Sequence, residues 1–237
     1  MNIIDAHLHI ETDIHNTSEE LDIHGIKKGL VYLIDETMPK ERPDNIILGT
    51  TVKSLGDVKK ALKGNIKIIK FLPYEHKLFN TPQFYDNYKR IFKFIEKNRM
   101  VLSICSTYGS KWLYDTNGVK LAFGIKNRYP KIPIILAHGG GPRVLDAMSL
   151  MMEYDDVYMD LSFSLFFWKG STVIQDYVFA LNKLGYKRTF FGSDVPYVSF
   201  EGAFDSLADF VNKGNINFIN VQDICYNNFV DFERKHL

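Results

Sequence analysis

His7 and His9 lie one residue apart, and Asp5 stands two residues before the first of them. If the run Ile3–Ile10 is a strand, its two-residue period puts Asp5, His7 and His9 on one face and Ile4, Ala6, Leu8 and Ile10 on the other. Two neutral imidazoles at that spacing reach one cation from one backbone, and Asp5 is placed to fix a ring tautomer from behind. A lone histidine is more often a structural residue satisfied by its neighbours. A pair beside an acid, on a face that should be buried, points instead to metal ligation.

Two later strand ends carry further candidates. In Ile134-Ile135-Leu136-Ala137-His138-Gly139-Gly140-Gly141, His138 shares a face with Ile134 and Leu136 at the C-terminal end of its strand. The glycines permit close approach of a ligand, or only a tight turn into the helix near Arg143. The run lacks the lysine and the spacing of a nucleotide-binding loop. Thr189–Val195 ends in Asp194. Alone, such an acid is equally a turn or helix cap. With His7, His9 and His138 it completes a nitrogen and oxygen donor set suited to Zn²⁺, or a similar divalent ion that keeps an open position for water.

The elements that must bring these residues together alternate along the chain. Strands are expected at Ile3–Ile10, Gly29–Ile34, Ile46–Val52, Ile66–Leu72, Val101–Ser106, Ile132–His138, Val157–Phe163 and Thr189–Val195. Helices are expected at Thr17–Lys28, Leu55–Lys63, Pro82–Lys97, Asn117–Arg128, Arg143–Glu153, Thr172–Leu184 and Phe204–Lys213, with a last segment at Val221–Phe232. Such alternation builds a parallel sheet from right-handed βαβ units, and eight units close into an α/β fold, a single (β/α)8 TIM-like barrel. An open doubly wound sheet is the alternative architecture. Pro39 and Pro43 make the second crossover irregular, without a proper helix. No linker interrupts residues 1–237, so one domain is expected.

Composition narrows the partners. Lys and Arg number 29 against 28 for Asp and Glu, a net charge of +1, which argues for neither nucleic acid nor an anionic membrane. Hydrophobic residues at 46% and charged residues at 24% are those of a globular chain rather than a disordered one. Cys105 and Cys225 are too few for a disulfide scaffold and suit a reducing compartment. No signal-peptide pattern opens the sequence. The most apolar stretch, Val157–Trp168, is broken by Asp160, Ser162 and Ser164 and is too short to span a bilayer. A cytoplasmic protein acting on a small molecule is the expectation; pairing of copies stays open.

The motifs in order resemble the amidohydrolase superfamily, in its amidohydrolase-related branch that includes aminocarboxymuconate semialdehyde decarboxylase-like enzymes. Asp5-Ala6-His7-Leu8-His9 is similar to the opening metal motif, Ile69-Lys70-Phe71-Leu72-Pro73 to the fourth-strand lysine segment, and His138-Gly139-Gly140 to the sixth-strand histidine motif. Phe191-Gly192-Ser193-Asp194-Val195-Pro196 is similar to the eighth-strand acid motif, and Asn227-Asn228-Phe229 to the terminal helix. The resemblance implies that His7, His9 and Asp194 are ligands and His138 the acid/base. The fifth strand departs from the family: Cys105 stands where a histidine ligand is usual, on a face with Val101 and Ser103. It is either a thiolate ligand that favours zinc or a small buried hydrophobe.

Lys70 is expected inside the barrel, as a contact for a substrate carboxylate or as a side chain reaching the barrel mouth. Arg143, Tyr108 and Trp112 are softer substrate-contact candidates; Tyr74, His76, Phe166 and Trp168 are further residues of the mouth. Asp160 is assigned no catalytic part, and His15, His24 and His236 are expected at the surface. The function implied is metal-activated hydrolysis of a small amide, ester or lactone. The alternatives are metal-dependent non-oxidative decarboxylation and, in another class, a catalytically degenerate barrel used for binding or as a scaffold.

Overall fold

The computed structural model describes residues 1–10, 13–33, 39, 41–106 and 116–237. Eight parallel strands stand in the sheet in their order along the chain: β1 (Ile4–His9), β2 (Lys28–Leu33), β3 (Ile46–Thr51), β4 (Ile68–Phe71), β5 (Val101–Cys105), β6 (Ile134–Ala137), β7 (Val157–Asp160) and β8 (Thr189–Phe190). The residues after β8 close the ring against β1: Ala6 N donates to Phe191 O at 2.9 Å, Asp194 N to His7 O at 2.8 Å, and His9 N to Val195 O at 2.7 Å. The fold is a (β/α)8 TIM barrel.

Alternation along the strands separates two cores. Ile4, Ala6, Leu30, Tyr32, Ile68, Val101, Ile135, Tyr158 and Phe190 form the inner one. Leu8, Val31, Leu33, Ile69, Phe71, Leu102, Ile104, Ile134, Leu136, Val157 and Met159 belong to the larger core beneath the helices. The inner core is sealed by Phe229 and Phe232 of the last helix, α10 below, whose rings lie 5.3 and 5.4 Å from that of Phe190. This end of the barrel is thus apolar, and the polar residues gather at the opposite end, where the strands finish.

The helices are α1 (Ile14–Ile23), α2 (Leu55–Lys63), α3 (Pro82–Lys97), α4 (Gly118–Arg128), α5 (Val144–Glu153), the short α6 (Ser164–Phe167), α7 (Val173–Leu184), α8 (Phe200–Gly214), α9 (Phe218–Gln222) and α10 (Asn228–His236). Local capping sets most of their ends. In α2, Ser54 and Asp57 form a reciprocal capping box, and Thr81 caps α3 with Pro82 in its first turn. The first helix starts three residues before its sequence expectation because Asp13 accepts from His15 N and Asn16 N at 2.7 and 2.9 Å; beyond its end lies Gly25 at φ 70°. The eighth helix likewise starts early, where the Ser199 hydroxyl accepts from Gly202 N at 3.1 Å.

Most of the second crossover lies outside the described residues; Pro39 and residues 41–45, which are described, hold no helix. Among the described residues no helix is long and apolar enough to cross a membrane.

Candidate metal centre

A bulge in β1 aims the two histidines. Asp5 pairs with Gly29 and Leu8 with Val31, so β1 spends three residues where β2 spends two. The extra residue reverses the alternation: Ile4 and Ala6 face inward below it, Leu8 faces the helices above it, and the His7 and His9 rings lie over the barrel interior, 4.7 and 6.2 Å from that of Tyr32. Asp5 therefore does not share their face. Its Oδ1 accepts from His7 N and Ser193 N, both at 3.0 Å, tying the bulge to the chain that closes the barrel. Burial pushes its carboxyl up to about 7. The tautomer-fixing part expected of Asp5 falls to another acid.

His138 arrives by a different device. Its strand neighbours Ile134 and Leu136 face the helices, so alternation alone would turn His138 away from the mouth. The backbone instead turns left-handed at His138, φ 64°, and stays so through Gly139, Gly140 and Gly141 at 57°, 86° and 55°. Only glycine takes such a run without steric cost. A Cβ on Gly139 would also lie 2.9 Å from the Tyr177 ring. The turn is held by donors to the His138 carbonyl, Ser164 Oγ at 2.7 Å and Tyr177 Oη at 2.9 Å, and by Gly140 N donating to Ser106 Oγ at 2.9 Å.

Asp194 lies beyond β8, which ends at Phe190, in a segment that bonds to β1 instead of continuing the ladder. Gly192 makes that approach possible, since a Cβ there would stand 2.9 Å from the Cβ atoms of both His7 and Ser162.

The outcome is a convergence of lone pairs. His7 Nδ1 lies 2.9 Å from Asp160 Oδ2 and His9 Nδ1 lies 3.3 Å from the Tyr32 carbonyl, so each ring has an acceptor at Nδ1 and turns Nε2 inward. Both Nε2 atoms are 3.5 Å from Asp194 Oδ1, a buried oxygen with no hydrogen-bond donor of its own. Donors bound to a tetrahedral ion at about 2.0–2.2 Å lie about 3.3–3.6 Å apart. The orphaned oxygen and the paired lone pairs fit a divalent cation, and His7, His9 and Asp194 form one of two potential ligand groups among the described residues. The other, His7, His138 and Asp160, shares His7.

Electrostatics agree. Burial, then Lys70 and His138, hold His7 well below the usual imidazole range, and burial lowers His9, so both stay neutral as ligands require. Burial alone would raise the Asp194 carboxyl; the surrounding imidazoles and Lys70 bring it down to about 2. Burial likewise opposes the charged form of His138, yet Asp194 and Cys105 lift it to about 9. Lys70 Nζ stands 2.7 Å from His7 Nε2 and 4.4 Å over the Tyr32 ring, at a site where burial lowers its pKa.

Cys105 lies beside His138 and Tyr74, not within the group formed by His7, His9 and Asp194. Arg143 is half-buried at the start of α5. Tyr108 and Trp112 lie outside the described residues. Phe163 stands 6.0 Å from the His138 ring and stacks on Phe167, and Tyr197 meets the His9 ring edge-on at 5.5 Å; none of these three is among the aromatic residues expected at the mouth. Against expectation, His236 is no simple surface residue: its Nε2 is 2.9 Å from Tyr158 Oη, and burial lowers its pKa to about 4.

Asp160, given no part from the sequence, is fully buried between His7 and His138. Its signal was present: Asp160, Ser162 and Ser164 interrupt the most apolar run of the chain, and all three are buried against the His138 turn.

The class defined by this fold and site is a barrel with potential divalent-ion ligands gathered at the C-terminal ends of its strands. An amidohydrolase family model matches residues 56–213, and the chain belongs to the amidohydrolase family, a family of enzymes that generally use a divalent metal. No curated protein sequence matches it. Among solved structures it is similar to an uncharacterized TIM-barrel protein from Bordetella bronchiseptica, with a TM-score of 0.80 at 13% identity over 100% of this chain and 99% of that one. It is also similar to a dihydroxybenzoic acid decarboxylase from Polaromonas with bound manganese, with a TM-score of 0.60 at 12% identity over 98% and 96% of the two chains. A third similar structure is a dihydroorotase from Campylobacter jejuni, with a TM-score of 0.67 at 15% identity over 98% and 83%. At these identities the likeness is one of fold.

Proposed function

We propose that the protein is a metal-dependent hydrolase of a small amide, ester or lactone, with zinc as its ion. The observation that carries this reading is the convergence of His7 Nε2, His9 Nε2 and the donorless Asp194 Oδ1. A divalent cation, which these three would hold, would polarise a substrate carbonyl and lower the pKa of a water toward neutrality. His138 faces the same centre, where, against its burial, Asp194 and Cys105 raise its pKa to about 9. As an imidazolium it would stabilise the developing oxyanion and give its proton to the leaving group, to be restored by the proton that Asp194 takes from the water. Asp194, a carboxylate at neutral pH, takes the proton of the attacking water. Cys105, the fifth-strand candidate, stands beside His138 and outside the three converging donors, so its part is to bear on His138.

Lys70 now shares His7 Nε2, the atom that a bound ion needs. Released from it, the amine is free to meet a substrate carboxylate, with Arg143, Tyr108 and Trp112 as further contacts. That placement of Lys70 also supports a second reading. A buried amine beside the centre suits a carboxylated substrate, and decarboxylation is the reaction named for the Polaromonas neighbour. Two buried thiols, Cys105 and Cys225, suit a reducing compartment, and we read the enzyme as cytoplasmic.

The test strips the purified protein of metal, restores zinc or manganese, and assays cyclic amides, lactones and hydroxybenzoates for ring opening and for CO₂. Metal-dependent ring opening is the expected result; CO₂ release selects the second reading. A folded chain that takes up no stoichiometric metal and turns over nothing contradicts both and leaves a scaffold.

A further inference from the structure

Asp160, at the end of β7, touches both histidine-bearing segments with different oxygens. Its Oδ1 accepts from His138 N at 3.0 Å, from Ser162 N at 3.2 Å and from the Ser162 hydroxyl. Its Oδ2 faces His7 Nδ1 at 2.9 Å. On the far side of the same imidazole, Lys70 Nζ lies 2.7 Å from Nε2. We propose that Asp160 is a positioning residue: one carboxylate sets the His7 tautomer, leaving the Nε2 lone pair aimed at the centre, and holds the left-handed turn that presents His138.

Both sides of the His7 ring lead to the same tautomer. A lysine ammonium only donates, so Nε2 must accept from it. A carboxylate only accepts, so Nδ1 must carry the proton toward Oδ2. The other oxygen is committed to its three donors and cannot rotate to serve His7. Those donors also fix the carboxylate plane, which couples the orientation of His7 to the backbone of His138. Gly192, with no room for a side chain between His7 and Ser162, closes the arrangement from the β8 side.

The proposal makes Asp160→Asn a tautomer switch rather than a deletion. The side-chain oxygen stays on the donors from His138 and Ser162, so the amide NH₂ turns to His7. The ring must then accept at Nδ1 and carry its proton on Nε2, which points a hydrogen at the ion's place.

The readout is ¹⁵N NMR of metal-free protein, with the His7 signals identified by their loss in His7→Gln. The expected result is an Nδ1-protonated His7 in the wild type and an Nε2-protonated His7 in Asp160→Asn, with zinc affinity reduced roughly 10–100-fold by competition with a chelator. Ser162→Ala removes a donor to Oδ1 but not the His7 contact, and is expected to keep the wild-type tautomer. An Nε2-protonated His7 in the wild type, or an unchanged tautomer in Asp160→Asn, overturns the proposal. Should Asp160→Asn fail to fold, the wild-type spectrum decides alone. The affinity arm rests on the metal reading and the spectra do not: a wild type that binds no zinc defeats that reading while the tautomer is still judged.

Discussion

Replacing Asp194 by asparagine is expected to lower kcat/KM by about 10³-fold or more and to reduce zinc content in the same preparation. The substitution keeps size and shape, so the barrel closure made by Asp194 N to His7 O at 2.8 Å is retained. What disappears is the carboxylate lying 3.5 Å from the Nε2 atoms of both His7 and His9, held ionised by His138, His9, His7 and Lys70. An ion there loses charge neutralisation, and the attacking water loses its proton acceptor. His138 loses the carboxylate that heads the influences lifting its pKa to about 9, so its titration moves toward the ordinary imidazole range. Elemental analysis and turnover of whichever substrate the panel yields read the two losses separately. Near-wild-type activity in this variant would remove Asp194 from the centre.

The second large effect lies at the other end of the barrel and is one of stability. Phe232→Ala is expected to cost about 3–5 kcal/mol, the range for deleting a buried aromatic side chain. Phe232 is 1% exposed, and its ring stands 5.0 Å from Tyr158, 5.4 Å from Phe190 and 5.4 Å from Phe229, so it plugs the inner core from below. Urea denaturation reads the loss as a lower midpoint. Because the floor and the ligands are separate ends of one barrel, zinc stoichiometry at low temperature should stay at the wild-type value. A variant as stable as wild type would show that α10 does not seal the core.

The pairing of His7 with His9, and the pattern of eight strands with their crossovers, follow from alternation and turn chemistry that local sequence carries. The bulge in β1 does not: no residue type marks it, and it arises from Asp5 bonding to the His7 and Ser193 amides, the latter 188 positions away. Strict alternation therefore brings His7 and His9 inward correctly but puts Asp5 beside them. His138 shows the converse. Its strand parity points it outward, and only the left-handed turn, legible in part from three glycines, reverses it. Asp160 was hidden because an acid at a strand end has many ordinary explanations; its meaning depends on which side chains the barrel brings to its two oxygens. The eighth strand is shorter than its apolar run implies because Phe191–Val195 exchange the ladder with β7 for bonds to β1.

On the proposed function, β1 and the segment after β8 hold one divalent ion between them. Crystals of zinc-loaded protein, measured on both sides of the zinc absorption edge, test it most directly. A single strong anomalous peak bonded to His7 Nε2, His9 Nε2 and the Asp194 carboxylate is expected. A zinc-loaded crystal with no peak at those three side chains, or with its only peak elsewhere on the molecule, would contradict it.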